Sequence, residues 1–170
     1  MRFILPLALF IGLCVFLFLG LGQDPQNVPS PFIGKVVPGF ELESLEQPTV
    51  YVSTDQYSGN PYVINVWGSW CPACYDEHPL LLEYAAENSL PIVGLNWKDT
   101  RAEASQWLER LGDPYVANAF DPTGDAGIDL GVYGAPESFL ISADGIVLYK
   151  HVGPLTRDVW EKHFLGGVTP

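Results

Sequence analysis

Cysteine is scarce. The 170 residues hold three, Cys14, Cys71 and Cys74, too few and too unevenly placed for the multi-bridge framework of small secreted domains. Positive charge is scarce too: eight Lys and Arg face twenty Asp and Glu, a formal net charge of −12. So acidic a chain repels phosphate-rich partners, so no nucleic-acid partner is expected, and the acidity reads as solubility. Metal ligands are equally short. A structural zinc site takes four, whereas Cys71, Cys74 and His78 supply three without a second pair. Tyr75, not histidine, follows the second cysteine, which excludes covalent haem attachment. Neither a metal nor a cofactor is expected.

Apolar residues, at 48%, are plentiful but unevenly spread. Phe3 to Gly22 runs without a charge. Twenty helical residues span about 30 Å, the hydrocarbon thickness of a bilayer, and exceed the about 7–15 apolar residues of a cleaved signal. Residues 1–22 therefore read as a transmembrane signal anchor, although Gly20-Leu21-Gly22 offers a small-x-small cleavage pattern. Arg2 ahead of the run favours a cytoplasmic N-terminus. The rest then lies outside, which in a Gram-negative cell means a single-pass inner-membrane protein with its folded domain in the periplasm. Pro25, Pro29, Pro31 and Pro38 make residues 23–38 a stiff linker. Residues 39–165 suit one domain of ordinary size, and 166–170 a tail.

Within the domain the pattern alternates. A short strand is expected over Phe40 to Leu42, and the β-branched and aromatic run Pro61 to Trp67 reads as a buried strand. A helix follows from Pro72 to about Asn88, then a strand over Pro91 to Trp97. Thr100-Arg101-Ala102-Glu103 is a capping box, and the helix it opens puts Ala104, Trp107, Leu108 and Leu111 on one face before Gly112 and Pro114 end it. Tyr115 to Phe120 reads as a strand. Ser138–Ser142 and Ile146–His151 flank the hairpin signal Asp144-Gly145, and a helix over Arg157 to Phe164 closes the domain. This order predicts an α/β fold with helices on both faces of a sheet.

Cys71 and Cys74 sit where a buried strand gives way to a helix. Pro72 suits the first helical turn, where a missing N–H costs nothing. The Cys71 sulfur then faces unpaired N–H groups and the positive end of the helix dipole, both of which favour thiolate. Thiolate is the species that attacks a disulfide. Cys74, one turn further in and less exposed, would resolve the mixed disulfide. A purely structural bridge is the bland alternative, but a loop this short stabilises little.

Trp70-Cys71-Pro72-Ala73-Cys74 after a hydrophobic strand resembles the thioredoxin superfamily. So do Pro79, where those proteins kink the helix, and Ala135-Pro136 before a strand, where they carry a cis-proline facing the active site. The resemblance implies a thioredoxin-like fold, a central mixed sheet flanked by helices, and a backbone at Ala135 turned outward to pair with a peptide. Three further segments narrow the match. Asn65 to Cys74 with Glu77-His78, Gly94 to Asp99, and Leu130 to Ile141 are similar to the CcmG/DsbE family of thiol:disulfide interchange proteins, over about residues 35 to 165. That family implies a protein-disulfide reductase of cytochrome c maturation. Its electron acceptors would be apocytochrome c or the haem-ligation maturation proteins. Its electron donor would be a transmembrane thiol reductant of DsbD/CcdA type.

One position departs from ordinary thioredoxins. Six residues before the nucleophile they carry a buried Asp that helps deprotonate the second cysteine; here it is Asn65, which takes no proton. Glu77 and Glu137 are the candidate acceptors. Glu137, which follows the expected cis-proline, is expected beside the sulfurs, while a solvated first-turn acid is the bland reading of Glu77. Trp67, Trp70 and Tyr133 read mostly as core, with Trp70 nearest the site. Two other functions stay open: a general extracytoplasmic reductant or oxidant, and a copper chaperone on the same fold. The two-residue cysteine spacing argues against the chaperone.

Overall fold

The computed structural model describes residues 4–20, 32–87 and 90–167. Helix α1, Ile4–Gly20, has 17 residues, and large apolar side chains on it such as Leu9, Phe10, Phe16 and Phe18 are exposed. Among the described residues no helix is long and apolar enough to cross a membrane. The transmembrane element expected over residues 1–22 extends past this helix at both ends, and those ends lie outside the described residues. Most of the expected linker lies outside the described residues. Its last part is not a spacer: Val36 bridges Ile146, Gly34 N–H donates to Val147 O, and Val37 is buried. The folded unit therefore begins before residue 39.

The central sheet has five strands: β3 (Tyr62–Trp67), β4 (Ile92–Trp97), β5 (Ala117–Asp121), β6 (Glu137–Ile141) and β7 (Val147–Val152), in the order β5-β4-β3-β6-β7. β3, β4 and β5 run parallel, and β6 and β7 join antiparallel, so the sheet is mixed, as expected. A separate antiparallel pair, β1 (Glu41–Glu43) and β2 (Tyr51–Ser53), leans on β5 through the bridge Ser44–Ala119.

Successive strand side chains point to opposite faces, and β3 is buried on both. Val63 and Trp67 join Cys71, Cys74, Leu81, Trp107, Leu140, Trp160 and Phe164 in one core. Ile64 and Val66 join Val93, Leu95, Leu130, Phe139 and Ile141 in the other. The first core is roofed by α2 (Pro72–Ala86), α3 (Arg101–Leu111) and the C-terminal helix. The second is covered by α4 (Asp125–Asp129) and the segment around Val37. Burying each large apolar side chain contributes about 1.5–3 kcal/mol.

Of the capping box expected at Thr100 only half forms: its hydroxyl accepts from Glu103 N, while the Glu103 carboxylate takes the Thr100 hydroxyl hydrogen rather than that of its amide, which donates to Asp99 Oδ1 instead. Gly112, at φ 94°, ends α3. The final helix departs from the regular one expected, since α5 (Arg157–Val159) passes into a π-helix over Trp160–Leu165. Along that wider turn the rings of Trp160 and Phe164 lie parallel, 5.1 Å apart, and Trp160 stacks on Tyr84 at 4.7 Å.

Candidate active site

β3 delivers the chain to Gly68-Ser69-Trp70, a loop tied to the end of β4. Lys98 leaves β4 in the left-handed region, φ 51°, a conformation that costs a side-chain-bearing residue about 1 kcal/mol or more. That turn brings Asp99 to the neighbouring loop, where its carboxylate accepts from Ser69 N at 2.6 Å and Ser69 Oγ at 2.8 Å. Asn96 Nδ2 and Thr100 N donate to the same carboxylate. Trp70 Nε1 donates to Trp97 O at 3.2 Å. Gly68 makes room for this indole, for a Cβ there would lie 2.8 Å from Trp70 Cε2. Trp70 is 49% exposed, so of the aromatic residues nearest the cysteines in sequence it is one that meets solvent.

Cys71 is the N-cap of α2 and Pro72 its first residue. Cys71 Sγ accepts the Cys74 N–H at 3.1 Å, one of the orphan donors of the helix start. The two cysteines form a disulfide, with Cα atoms 5.3 Å apart. The expectation that Cys71 is the more exposed is not met in this oxidised form, since Cys71 is 1% and Cys74 2% accessible. Both sulfurs pack into the first core, so their difference lies in position on the helix: Cys71 has the terminal amides, and Cys74 does not.

Glu77, three residues after Cys74, shares its helix face and is 1% exposed, which corrects the solvated reading. Its Oε1 accepts from Asn65 Nδ2 at 2.8 Å and its Oε2 from Leu155 N at 2.7 Å. Burial pushes its pKa up to about 7, against the opposing pull of the Leu155 and Asn65 hydrogen bonds. Asn65 is satisfied by side chains rather than by backbone: Nδ2 also donates to Ser138 Oγ at 3.0 Å, and Oδ1 accepts from Tyr115 at 2.8 Å.

Glu137 is a second correction. The Ala135–Pro136 bond is cis, and Ala135 packs at the margin of both cores. Glu137 pairs with Val66 and Ser138 with Asn65, so Ser138 points towards Asn65 and Glu77 while Glu137 points to the opposite face. There its Oε1 accepts from Tyr133 N at 3.1 Å and Gly134 N at 3.2 Å, and its Oε2 pairs with Lys150 Nζ at 2.8 Å. Lys150 also donates to Gly131 O and lies over the rings of Tyr133 and Phe139. Glu137 thus fastens the loop that carries Ala135 and Pro136, on the far side of the sheet from Cys74. Tyr133, read as core, is 59% exposed, whereas Trp67 is buried.

His78 turns away from the pair. Its Nε2 meets Gly112 O at 3.0 Å and its ring packs edge-on against Trp107 at 4.2 Å; burial lowers its pKa. Among the described residues no group of three or more His, Cys, Asp or Glu could hold a metal ion. A surface cavity of about 450 Å³ lined by Tyr57, Tyr62, Leu90 and Pro91 lies at the other end of β3 and has no part in this chemistry. Asp99, Tyr115, Ser138 and Lys150 were given no role by the sequence. Only Asp99 and Ser138 carried a signal, as members of the segments that resemble the family.

The comparisons with known proteins agree with this geometry. The Redoxin family profile matches residues 33–164. The thiol:disulfide interchange protein DsbE of Allochromatium vinosum is 46% identical over 94% of this chain and 88% of its own length. DsbE of Escherichia coli strain K12 is 44% identical over 94% and 89%. A crystal structure from Chlorobium tepidum, of a protein provisionally named thiol:disulfide interchange protein DsbE, superposes with a TM-score of 0.72 at 28% identity, covering 81% of this chain and 98% of that one. The chain thus belongs to the Redoxin family of the thioredoxin superfamily, and within it to the DsbE thiol:disulfide interchange proteins, and is a protein-disulfide oxidoreductase.

Proposed function

We propose that this oxidoreductase is a reductant, held to the inner membrane by its N-terminal segment with its domain in the periplasm, and that it reduces disulfides of apocytochrome c or its maturation partners so that haem attaches to free thiols. The observation that carries the reducing direction is Glu77, a carboxyl group buried on the Cys74 face of α2. Ionised, it disfavours a second negative charge nearby and so stabilises the thiolate form of the pair less. A strong oxidant owes its potential to a stabilised reduced form; this site works against that. The anchor is supported by the uncharged run of residues 3–22 behind Arg2.

The exchange proceeds in two displacements. The Cys71 thiolate, favoured by the amides at the start of α2, attacks one sulfur of the substrate disulfide. That S–S bond breaks, one substrate thiolate leaves, and a mixed disulfide forms on Cys71. Cys74 then passes its proton to the Glu77 carboxylate and attacks Cys71 Sγ, releasing the second substrate sulfur as thiolate and closing the Cys71–Cys74 disulfide. Two electrons have moved to the substrate, and a transmembrane thiol donor of DsbD/CcdA type would return them.

Equilibration of the full chain with glutathione tests the direction. The potential is expected near the about −270 mV of thioredoxin, and a value near the about −120 mV of a strong periplasmic oxidant would overturn the reductive reading. In cells, deletion should abolish c-type cytochromes, and an added small thiol should restore them. Unchanged cytochrome levels would leave a general reductant as the better reading.

A further inference from the structure

The amide of Asn65 is buried among three polar groups, and only one of its two orientations serves them all. With Oδ1 towards Tyr115, that oxygen accepts the phenol hydrogen at 2.8 Å, and Nδ2 has one hydrogen for Glu77 Oε1 and one for Ser138 Oγ. Turned over, the amide would present its oxygen to the Glu77 carboxylate. An amide is nearly symmetric in shape, so its neighbours' hydrogens decide the orientation. Tyr115 is itself rigidly placed. Its ring stacks on Trp67 at 5.5 Å, and its N–H is held by Asp113 Oδ1 at 2.9 Å. Gly94 leaves the space it occupies: a Cβ on Gly94 would lie 3.0 Å from Tyr115 Cγ, 2.8 Å from Trp67 Nε1, and in collision with Asn118 Oδ1.

We propose that Tyr115 is a positioning residue for the thiol exchange: by fixing the Asn65 amide it holds the Glu77 carboxyl group where it exchanges a proton with Cys74. The proposal rests on the reading of Glu77 as the proton acceptor. The ionisable groups on the elements packed around Glu77 are Cys71 and Cys74 on or beside its own helix, Tyr115 from the segment before β5 with Asp113 behind it, and His151 of β7, the strand partner of Ser138, whose Nε2 meets Pro154 O next to the Leu155 amide. Asn65, Ser138 and the Leu155 amide carry no charge, and His78 is turned towards Gly112 and Trp107.

Without the phenol hydrogen, Asn65 Oδ1 has no donor on that side. The amide is then free to turn and accept the hydrogen of a protonated Glu77, which favours the acid. Tyr115→Phe keeps the stacked ring and removes only the hydroxyl. In the reduced full chain in detergent micelles, the Glu77 carboxyl carbon is followed by NMR against pH, together with the rate at which a mixed disulfide on Cys71 resolves. The Glu77 midpoint in Tyr115→Phe should rise by about one pH unit, and the inflection of the rate profile should move with it. Glu77→Gln should abolish that inflection.

Coincident Glu77 titrations in wild type and Tyr115→Phe would overturn the role of Tyr115 while leaving Glu77 as acceptor. An inflection that persists in Glu77→Gln would remove Glu77, and the proposal with it. Should Tyr115→Phe fold poorly, a monofluorinated tyrosine at position 115 has a more acidic hydroxyl and nearly the same shape. It should lower the Glu77 midpoint, and an unmoved midpoint there would equally overturn the proposal.

Discussion

At the scale of single residues, the division of labour between two cysteines and two glutamates follows from position. Cys71 has the helix terminus, and Cys74 has a buried acid on its own face. Cys74→Ser should therefore trap a mixed disulfide through Cys71, and Cys71→Ser should trap almost none; gel shift under non-reducing conditions reads both, and trapping by Cys71→Ser would reverse the roles. Glu77 also makes a statement about stability. Its folded pKa, about 7, lies above the ordinary 4.5, so the native state binds the extra proton in the window between. Stability from this group is fully present below pH 4.5 and is lost as pH rises through 7, by about 3 kcal/mol. Denaturant unfolding at pH 4.5 and 8 should show that loss in wild type and not in Glu77→Gln. The cysteine pair was legible from the sequence because spacing and context suffice for it. The glutamates were not. A strand's parity is set by the residue at which it starts, and a shift of one sends a side chain to the opposite face. Glu137 opens β6 on the parity of Phe139 and Ile141, and so belongs to the second core.

At the scale of elements, two tethers hold the loops around the disulfide. Asp99 ties the loop before Cys71 to the end of β4. Lys150 of β7 pairs with Glu137, which in turn grips Tyr133 and Gly134. Both members of that ion pair are almost wholly buried, with side-chain exposures of 4% and 0%. Lys150→Met should thus leave a buried charge unpaired and cost about 3 kcal/mol or more, a fall in Tm of roughly 10 °C. Lys150→Met with Glu137→Leu should recover most of it in a double-mutant cycle, and simple additivity of the two losses would deny the coupling. The long elements were readable in the sequence, because β3, β4, α2 and α3 each repeat their period several times. β1, β2 and α4 run for three to five residues; β2 and α4 went unread and β1 was placed one residue early. Such segments hold no full period, and their pairing with β5 and packing on Trp97 come from distant chain.

At the scale of the whole molecule, the acidic surface and the apolar N-terminal run pull in different directions, one towards water and one away from it. The full chain should sediment with inner membranes, while a chain starting at Gln23 should stay soluble and keep its thiol exchange. A natural N-terminus found at Gln23 would replace the anchor with a cleaved signal. The domain between them is a sheet with an acid on each side, Glu77 on the side that holds the disulfide and Glu137 on the other.

The sulfur that reacts is also the sulfur that closes the first turn of α2, by accepting the Cys74 amide. That double duty bears on how inactive variants are chosen. Cys71→Ala deletes an acceptor at an N-cap, a loss that costs about 1 kcal/mol at such positions, whereas Cys71→Ser keeps an oxygen able to fill it. A binding or localisation study that uses the alanine form as its silent control is therefore comparing two helices as well as two chemistries, and the serine form is the cleaner reference.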